Sequence, residues 1–426
     1  MRFAQVKAVA TVASGNFLEM YDFMLFGYYA PSIAKTFFPA GSEFISLMLT
    51  FMTFGVGFLM RPVGALLFGA YIDRKGRRKG LLLTLSLMAV GTLTIAIMPG
   101  YDAIGVTAPL LIVLSRLAQG LSAGVEPGGV AIYLSEIAPI DHKGFFVAWK
   151  SASQQLAVAF AAVVGVIVTN QLSPEAMVRW GWRIPFFIGC ALIPFLILLR
   201  RQIDETPAFL TQLHPPTTRE VFAALVENWS IVLRGMMLVA MTAVFFYMIT
   251  AYMPTYGNTV LRLGATESMF IMLCVGVANF FLLPLMGAVS DRIGRFPLLL
   301  GAPLLALVTA YPVMRWLVTS PSFVHLLGAE LYFALMYGTY HGAMGVFLTE
   351  IMPARGRTAG VSIADSLAAG ILGGFSPAIA AFLIHATGDL AIPGAWLSVA
   401  AVASLGSVLT FALRDRVRQT ELRLSK

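Results

Sequence analysis

Charge is scarce in this chain. Of its 426 residues, 12% are Asp, Glu, Lys or Arg and 58% are hydrophobic, whereas a water-soluble domain carries about a quarter charged residues. Mean hydropathy is +0.82, and apolar runs of about 20 residues recur along the whole length. A soluble enzyme of this composition would expose apolar surface everywhere, so that class is excluded. Cysteine is nearly absent. Cys190 and Cys274 fall in apolar spans of different halves, so both read as buried structural thiols and no disulfide framework or metal cluster is expected. A cleavable leader is not expected either, because "MRFAQVKAVATVASG" runs directly into a full-length span.

What remains is an all-α polytopic membrane protein. The hydrophobic pattern predicts twelve helices, at about 7–34, 44–70, 80–99, 108–130, 143–169, 182–201, 229–256, 266–290, 296–317, 322–347, 359–385 and 392–413. The longest interruption, "RRQIDETPAFLTQLHPPTTREVFAALVEN", is charged and holds a Pro-Pro pair. It divides the chain into an N-terminal six-helix bundle (1–201), a linker (202–228) and a C-terminal six-helix bundle (229–426). Within it, "TTREVFAALVEN" suits a short amphipathic helix on the membrane surface.

The halves echo each other. "GAYIDRKGRRKG" follows helix two and "GAVSDRIGRFPL" follows helix eight, which sets Asp73 and Asp291 218 residues apart. "YLSEIAPIDHKG" ends helix four and "FLTEIMPARGRTAG" ends helix ten, which sets Glu136 and Glu350 214 apart. Two matched pairs at nearly one offset indicate a duplicated six-helix unit, a construction used by transporters with a site near the midplane between the repeats.

The formal charge of +8 invites a nucleic-acid partner, but position argues against one. Lys and Arg concentrate in the short loops after helices two, four, eight and ten and near both termini, whereas the opposite loops and helix ends hold Lys35, Arg179, Arg183, Arg262 and Arg315. That asymmetry predicts cytoplasmic termini and a lipid bilayer as the partner surface.

The scarcity of charge makes the intramembrane charges informative. Arg61 in "FMTFGVGFLMRPVGALLFGA" and Arg116 in "APLLIVLSRLAQGLSAG" sit mid-span, where each costs about 2.5–3.5 kcal/mol on insertion scales. Two fixed cations in one interior point to an anionic substrate, and guanidinium forks match carboxylates. The bland alternative is permanent pairing with Glu19, Asp22 or Glu126. In helix one, Asn16, Glu19 and Asp22 recur every three residues and share a face; the helix also carries Tyr21 and Tyr28, and Asn16 and Tyr28 are candidates for substrate binding. Glu19 and Asp22 are candidates for ion coupling, either by taking a proton or, with Asn16, as oxygen ligands for sodium. By the repeat offset, Arg61 corresponds to Asn279 and Arg116 to Glu330, so the cationic pair belongs to the first half alone.

Further candidates complete the interior. Lys150, Gln154 and Gln155 lie in helix five, with Gln154 as a hydrogen-bonding candidate and Lys150 close enough to the helix end to snorkel. Tyr337, Tyr340 and His341 lie midway along helix ten, where Tyr337 and His341, four apart, share a face. Tyr337 suits a donor to a substrate carboxylate, and His341 suits titration or simple satisfaction of a neighbour. Gly120, Gly124 and Gly128 at four-residue spacing suit close helix contact. Glu126 is placed at a gate, as are Asp73, Arg74, Arg77, Glu136, Asp291 and Glu350. Asp73 with Arg74, Arg77 and Arg78 is expected to latch the cytoplasmic gate. Most Phe and Met positions read as lipid-facing or core.

"GAYIDRKGRRKG" resembles the G-x-x-x-D-R-x-G-R-R loop of the major facilitator superfamily, and its weaker copy at Gly287–Arg295 stands where that family repeats it. More narrowly, "GNFLEMYDFMLFGYYAP", "FLMRPVGALLFG", "RLAQGLSAGVEPGG" and "WGWRIPF" resemble the metabolite–proton symporters of that superfamily, most of all the bacterial citrate–proton symporters, including those that accept tricarballylate. The resemblance covers essentially the whole chain. It implies alternating access between two pseudo-symmetric bundles, secondary active uptake at the bacterial inner membrane by a monomer, and no cofactor beyond a coupling cation. Protons are favoured by the resemblance, and the helix-one stripe leaves sodium open. Uptake of a betaine-like zwitterion is the alternative, for which an aromatic cage would be expected. A membrane-bound enzyme or receptor is the remaining class, and it leaves the repeat without a role.

Overall fold

The structure is a computed structural model that describes residues 17–424 apart from 76, 125, 202–222, 224–225 and 354–356. Twelve long helical stretches account for nearly all of it. In the first half, α1 comprises residues 17–28 and Ala30–Phe37 around a turn at Tyr29, and α2 comprises Glu43–Leu59 and Arg61–Lys75 around Met60. Then follow α3 (Arg77–Ile97), α4 (Thr107–Ala123 and Glu126–Ile137), α5 (Lys143–Gln171) and α6 (Arg183–Arg201). In the second half, α7 (Trp229–Val260), α8 (Ala265–Ile293), α9 (Phe296–Thr319), α10 (Phe323–Ile351), α11 (Arg357–Thr387) and α12 (Pro393–Leu424) repeat the pattern.

Among the described residues, seven helices are long and apolar enough to cross a bilayer, α6 joined at a 43° bend to the Pro174–Gly181 stretch before it makes an eighth, and Leu82–Ile97 and Thr107–Ala123 are shorter apolar helices. The two that complete the set are α1 and α10. They depart from the apolar rule because α1 carries Glu19 and Asp22 and α10 carries Glu330, Tyr337, Tyr340 and His341, all buried.

Several irregularities have local causes. Pro62 lacks the N–H that would reach the Phe58 carbonyl, and α2 steps out of register at Met60, directly before Arg61. Around Pro254, α7 widens into π-helical turns at Met248–Tyr252 and Tyr256–Val260, and α11 does so at Ala368–Gly373. Such turns tend to mark functional sites.

Glycine sets the approach of α2 to α4. A Cβ on Gly120 would lie 1.7 Å from the Gly57 carbonyl oxygen, and one on Gly124 would lie 2.0 Å from that of Arg61. No side chain fits there, so the backbones touch and the two arginine-bearing segments become neighbours. The close contact expected of this glycine row is present at both positions, and the Gly128 side of it lies outside the described residues.

Between the halves, α5 runs along α8 and α2 along α11. The end that carries the α2–α3, α4–α5, α8–α9 and α10–α11 connections, here the basic end, is closed by α5 against α8 and by α4 against α11. At the opposite end the Gly27 backbone lies against Ala251 of α7, Thr255 donates to the Gly27 carbonyl at 3.2 Å, and Phe44 stacks on His385 with ring centroids 3.9 Å apart. Both ends are shut.

Candidate functional site

Arg61 and Arg116 meet at the centre of the closed bundles, 4% and 0% exposed. Arg61 Nη2 donates to Glu19 Oε1 of α1 in a buried ion pair. Arg116 Nη1 lies 3.6 Å from Asp22 Oδ2 and donates to Gln119 Oε1 at 2.9 Å. Gln119 Nε2 in turn donates to Asp22 Oδ2 at 2.6 Å and to Thr92 Oγ1 at 3.3 Å. The helix-one acids therefore neutralise the arginines, one each. The pairing is a consequence of spacing: Glu19 and Asp22 share a face of α1, and the glycine contacts bring α2 and α4 together opposite that face.

The pairs leave capacity unused. Arg61 Nε, Arg116 Nε and Nη2, and Asp22 Oδ1 are buried without a hydrogen-bond partner. A buried charge with unmet donors is costly, and a carboxylate arriving here would satisfy several at once. The guanidinium planes are bedded on aromatic rings. Arg61 lies 5.2 Å from the Phe23 centroid and 4.9 Å from that of Phe58. Arg116 lies 4.6 Å from both Phe23 and Phe26 and 5.3 Å from Phe54. These phenylalanines lie in the core, as the sequence pattern allowed, and there they also bed the two cations by cation–π contact. The same rings are thereby already occupied by the protein's own cations, which disfavours a quaternary ammonium guest.

The second half faces this cluster with aromatic and polar groups and one acid, Asp365. Tyr247 of α7 packs edge-on against Phe54 and Phe58, and Phe246 packs on Tyr337. Tyr337 stacks on His341, whose Nε2 lies 2.6 Å from Ser151 Oγ of α5. Lys150 Nζ sits 3.9 Å from Asp365 Oδ2 of α11. Gln155 and Asn279 are fully buried, Asn279 with both amide atoms unpartnered, and Gln154 is only half-buried. Tyr28 is buried with its hydroxyl unpartnered. Tyr340 donates to the Leu238 carbonyl within the second half at 2.7 Å. Asn16 and the side chains of Asp73, Arg74, Arg77 and Glu126 lie outside the described residues.

The second-half residues expected at a gate, Asp291 and Glu350, lie among the described residues. Asp291 accepts from the N–H groups of Gly144 and Phe145, at 2.8 and 2.9 Å, at the N-terminus of α5. Arg295 donates to Asp291 Oδ1 at 2.6 Å and lies 3.5 Å from Glu350. This cluster clamps the two bundles at the basic end, where a carboxylate also meets the positive end of the α5 dipole. Glu136 is exposed at the end of α4. At the opposite end, a cavity of about 590 Å³ lies between α1, α2 and α7, lined among others by Lys35, Glu43 and Thr259.

Four contributors were missed from the sequence. Gln119 carried a signal, standing three residues from Arg116 on one helix face. Asp365 carried a stronger one, an ionisable residue inside the apolar run "TAGVSIADSLAAG". Tyr247 and the phenylalanine bed carried none, because their role depends on how helices from different parts of the chain pack.

A membrane-embedded pair of bundles shut at both ends around a charged, solvent-shielded centre is built as a carrier of polar solutes. The sequence profile described as Major Facilitator Superfamily matches residues 12–366, and the chain belongs to that superfamily. It is 55% identical over 407 residues to a citrate-proton symporter of Salmonella typhi, covering 96% of this chain and 94% of that one. It is 52% identical over 402 residues to a citrate-proton symporter of Klebsiella pneumoniae, covering 94% and 90%. Among solved structures, a D-xylose-proton symporter superposes with a TM-score of 0.75 at 19% identity, over 93% of this chain and 96% of that one; this likeness concerns the fold. The chain is therefore a transporter and not an enzyme.

Proposed function

We propose that this protein takes up citrate, or a closely related di- or tricarboxylate, together with protons by alternating access. The observation that carries the proposal is the pair of fully enclosed arginines, each held by one releasable carboxylate, in a chain more than half identical to citrate-proton symporters over nearly its whole length. A substrate carboxylate competes with Glu19 for Arg61 and with Asp22 for Arg116. The displaced acid, now buried without its cation, takes a proton to avoid an unpaired charge. Tyr28, Gln154, Tyr337 and His341 are assigned to the wall of the substrate cage. Asp291 and Glu350, with Asp73, Arg74, Arg77, Glu126 and Glu136 in the first half, are assigned to the gate.

Protons are needed because an inside-negative potential opposes anion uptake by about 2.3 kcal/mol per charge per 100 mV. The excess of Lys and Arg at the basic end supports a cytoplasmic location for that end and for both termini, in a bacterial inner membrane. On this reading the monomer is the working unit, and residues 1–201 and 229–426 are its two moving bodies.

Labelled citrate uptake into proteoliposomes, with a proton gradient and a sodium gradient imposed separately, tests the proposal. Accumulation is expected with the proton gradient alone. No accumulation under that gradient, or accumulation driven only by sodium, overturns proton symport. Betaine uptake in place of citrate overturns the substrate assignment.

A further inference from the structure

Three ion pairs stand in the enclosed centre, and one of them is loose. Lys150 of α5 is 9% exposed and pairs with Asp365 of α11, across the two bundles. The head groups lie 3.9 Å apart, too far for a hydrogen bond, so each keeps hydrogen-bonding capacity to spare. The pair borders the arginine cluster. The charge of Asp365 reaches Arg61, and the Tyr247 phenol stands within electrostatic reach of Arg61, Arg116 and Asp365 alike. On the far side His341, bonded to Ser151, comes within reach of both Lys150 and Asp365, and Tyr337 within reach of Asp365. A guest held by the two arginines beside Tyr247 therefore has a further polar contact to make at Lys150 and Asp365.

A tricarboxylate bound as a dianion sets its two charges against Arg61 and Arg116 and keeps one neutral carboxyl. Charge decides what the loose pair can hold. A carboxylate there gains from the ammonium and loses to Asp365. A carboxylic acid gains from both, because its carbonyl oxygen accepts and its hydroxyl donates. We propose that Lys150 and Asp365 form the subsite for the third, protonated carboxyl of a tricarboxylate: Lys150 Nζ donates to the carbonyl oxygen, and the acid hydroxyl donates to the Asp365 carboxylate. The subsite selects tricarboxylates over dicarboxylates, which leave it unfilled. Its two halves come from different bundles, so the third carboxyl is gripped only while the bundles are together. This deepens the proposed function and rests on its citrate reading.

Calorimetric titration of the full chain compares citrate with two dianions of one shape, in which one carboxyl is replaced by a primary amide or by a methyl ketone. Each is made at the terminal and at the central position, and the tighter position is read. Both keep the carbonyl that accepts from Lys150, but only the amide can donate to Asp365. The amide is expected to bind close to citrate, and the ketone about 10- to 150-fold more weakly, the value of a hydrogen bond to a charged group. In Asp365→Ala that preference is expected to vanish. In Lys150→Met both ligands are expected to weaken together, with the preference kept. If Asp365→Ala does not fold, the double variant Lys150→Met with Asp365→Ala, which leaves no lone charge, takes its place and should show the same loss of preference. Equal binding of amide and ketone by the native chain overturns the inference and leaves citrate uptake standing. So does failure of both ligands while citrate binds, or a preference that survives the loss of Asp365. If citrate itself does not bind, the proposed function fails and the subsite with it.

Discussion

Replacing Arg116 by methionine removes the guanidinium and keeps most of the volume, and the structure sets the size of the effect. Arg116 and Asp22 are both 0% exposed and 3.6 Å apart. At an effective dielectric constant of about 20, that separation corresponds to roughly 5 kcal/mol of attraction. Removing one partner of such a pair leaves the other buried and uncompensated, at a cost of about 3–5 kcal/mol. Gln119 still donates to Asp22 at 2.6 Å, so the lower part of that range is expected for Arg116→Met, with a similar loss for Asp22→Asn. The double variant removes both charges and is expected to recover most of the stability, because a neutral pair has little to lose. Citrate binding follows another pattern. A charge-assisted hydrogen bond contributes about 1.5–3 kcal/mol, so every variant lacking Arg116 should bind citrate about 10- to 150-fold more weakly, the stable double variant included. Thermal unfolding in detergent and calorimetric titration with citrate separate the two effects. Equal stability of Arg116→Met and the double variant would refute the ion pair, and native-like citrate affinity in the double variant would refute the binding role.

Two further outcomes follow from the contacts between bundles. Asp291→Asn removes a carboxylate from the α5 N-terminus and from Arg295, a loss of about 1–2 kcal/mol, and should favour the state open at the basic end by about 5- to 30-fold. Alkylation of Ser151→Cys from that side should quicken accordingly, with citrate affinity nearly unchanged. The Lys150–Asp365 contact, with side chains 10% and 20% exposed and 3.9 Å apart, should tolerate exchange: Lys150→Asp and Asp365→Lys each slow transport, and the double exchange recovers uptake if the pair acts as a bridge between α5 and α11.

Much of the site was legible because charge is expensive inside a membrane. Arg61 and Arg116 stood out by residue type alone, and the i, i+3 spacing of Glu19 and Asp22 placed both acids on one face toward them. The repeat offset singled out Asn279 and Glu330 without any knowledge of packing. Residues that depend on helix rotation were not legible. Gln154 and Gln155 are neighbours about 100° apart on α5, and which of them faces inward is set by contacts such as Gly144 against Gly287 and Gly276 against Ala159. The phenylalanines beneath the arginines look like any lipid-facing Phe until α1, α2 and α4 are assembled. Asp365 differs from these, because an ionisable residue in an apolar span carries the same signal that marked the arginines.

The two halves share a backbone plan and divide the chemistry, and charge balance explains why. In the closed centre Arg61 offsets Glu19, Arg116 offsets Asp22 and Lys150 offsets Asp365, so the described ion pairs sum to neutral. A dianion that displaces both helix-one acids restores neutrality only if each takes a proton. A fully ionised tricarboxylate would still leave one charge to be moved against the membrane potential, at about 2.3 kcal/mol per 100 mV. The closed state therefore favours a dianionic substrate with two protons, a combination that crosses without net charge. If that balance sets the stoichiometry, imposing a potential alone should not drive citrate into proteoliposomes, and a pH gradient of one unit should drive about a hundredfold accumulation of the dianion at zero potential. Uptake that responds to potential at fixed pH would mean that more than two protons accompany the substrate, and an acid beyond Glu19 and Asp22 would have to carry the excess.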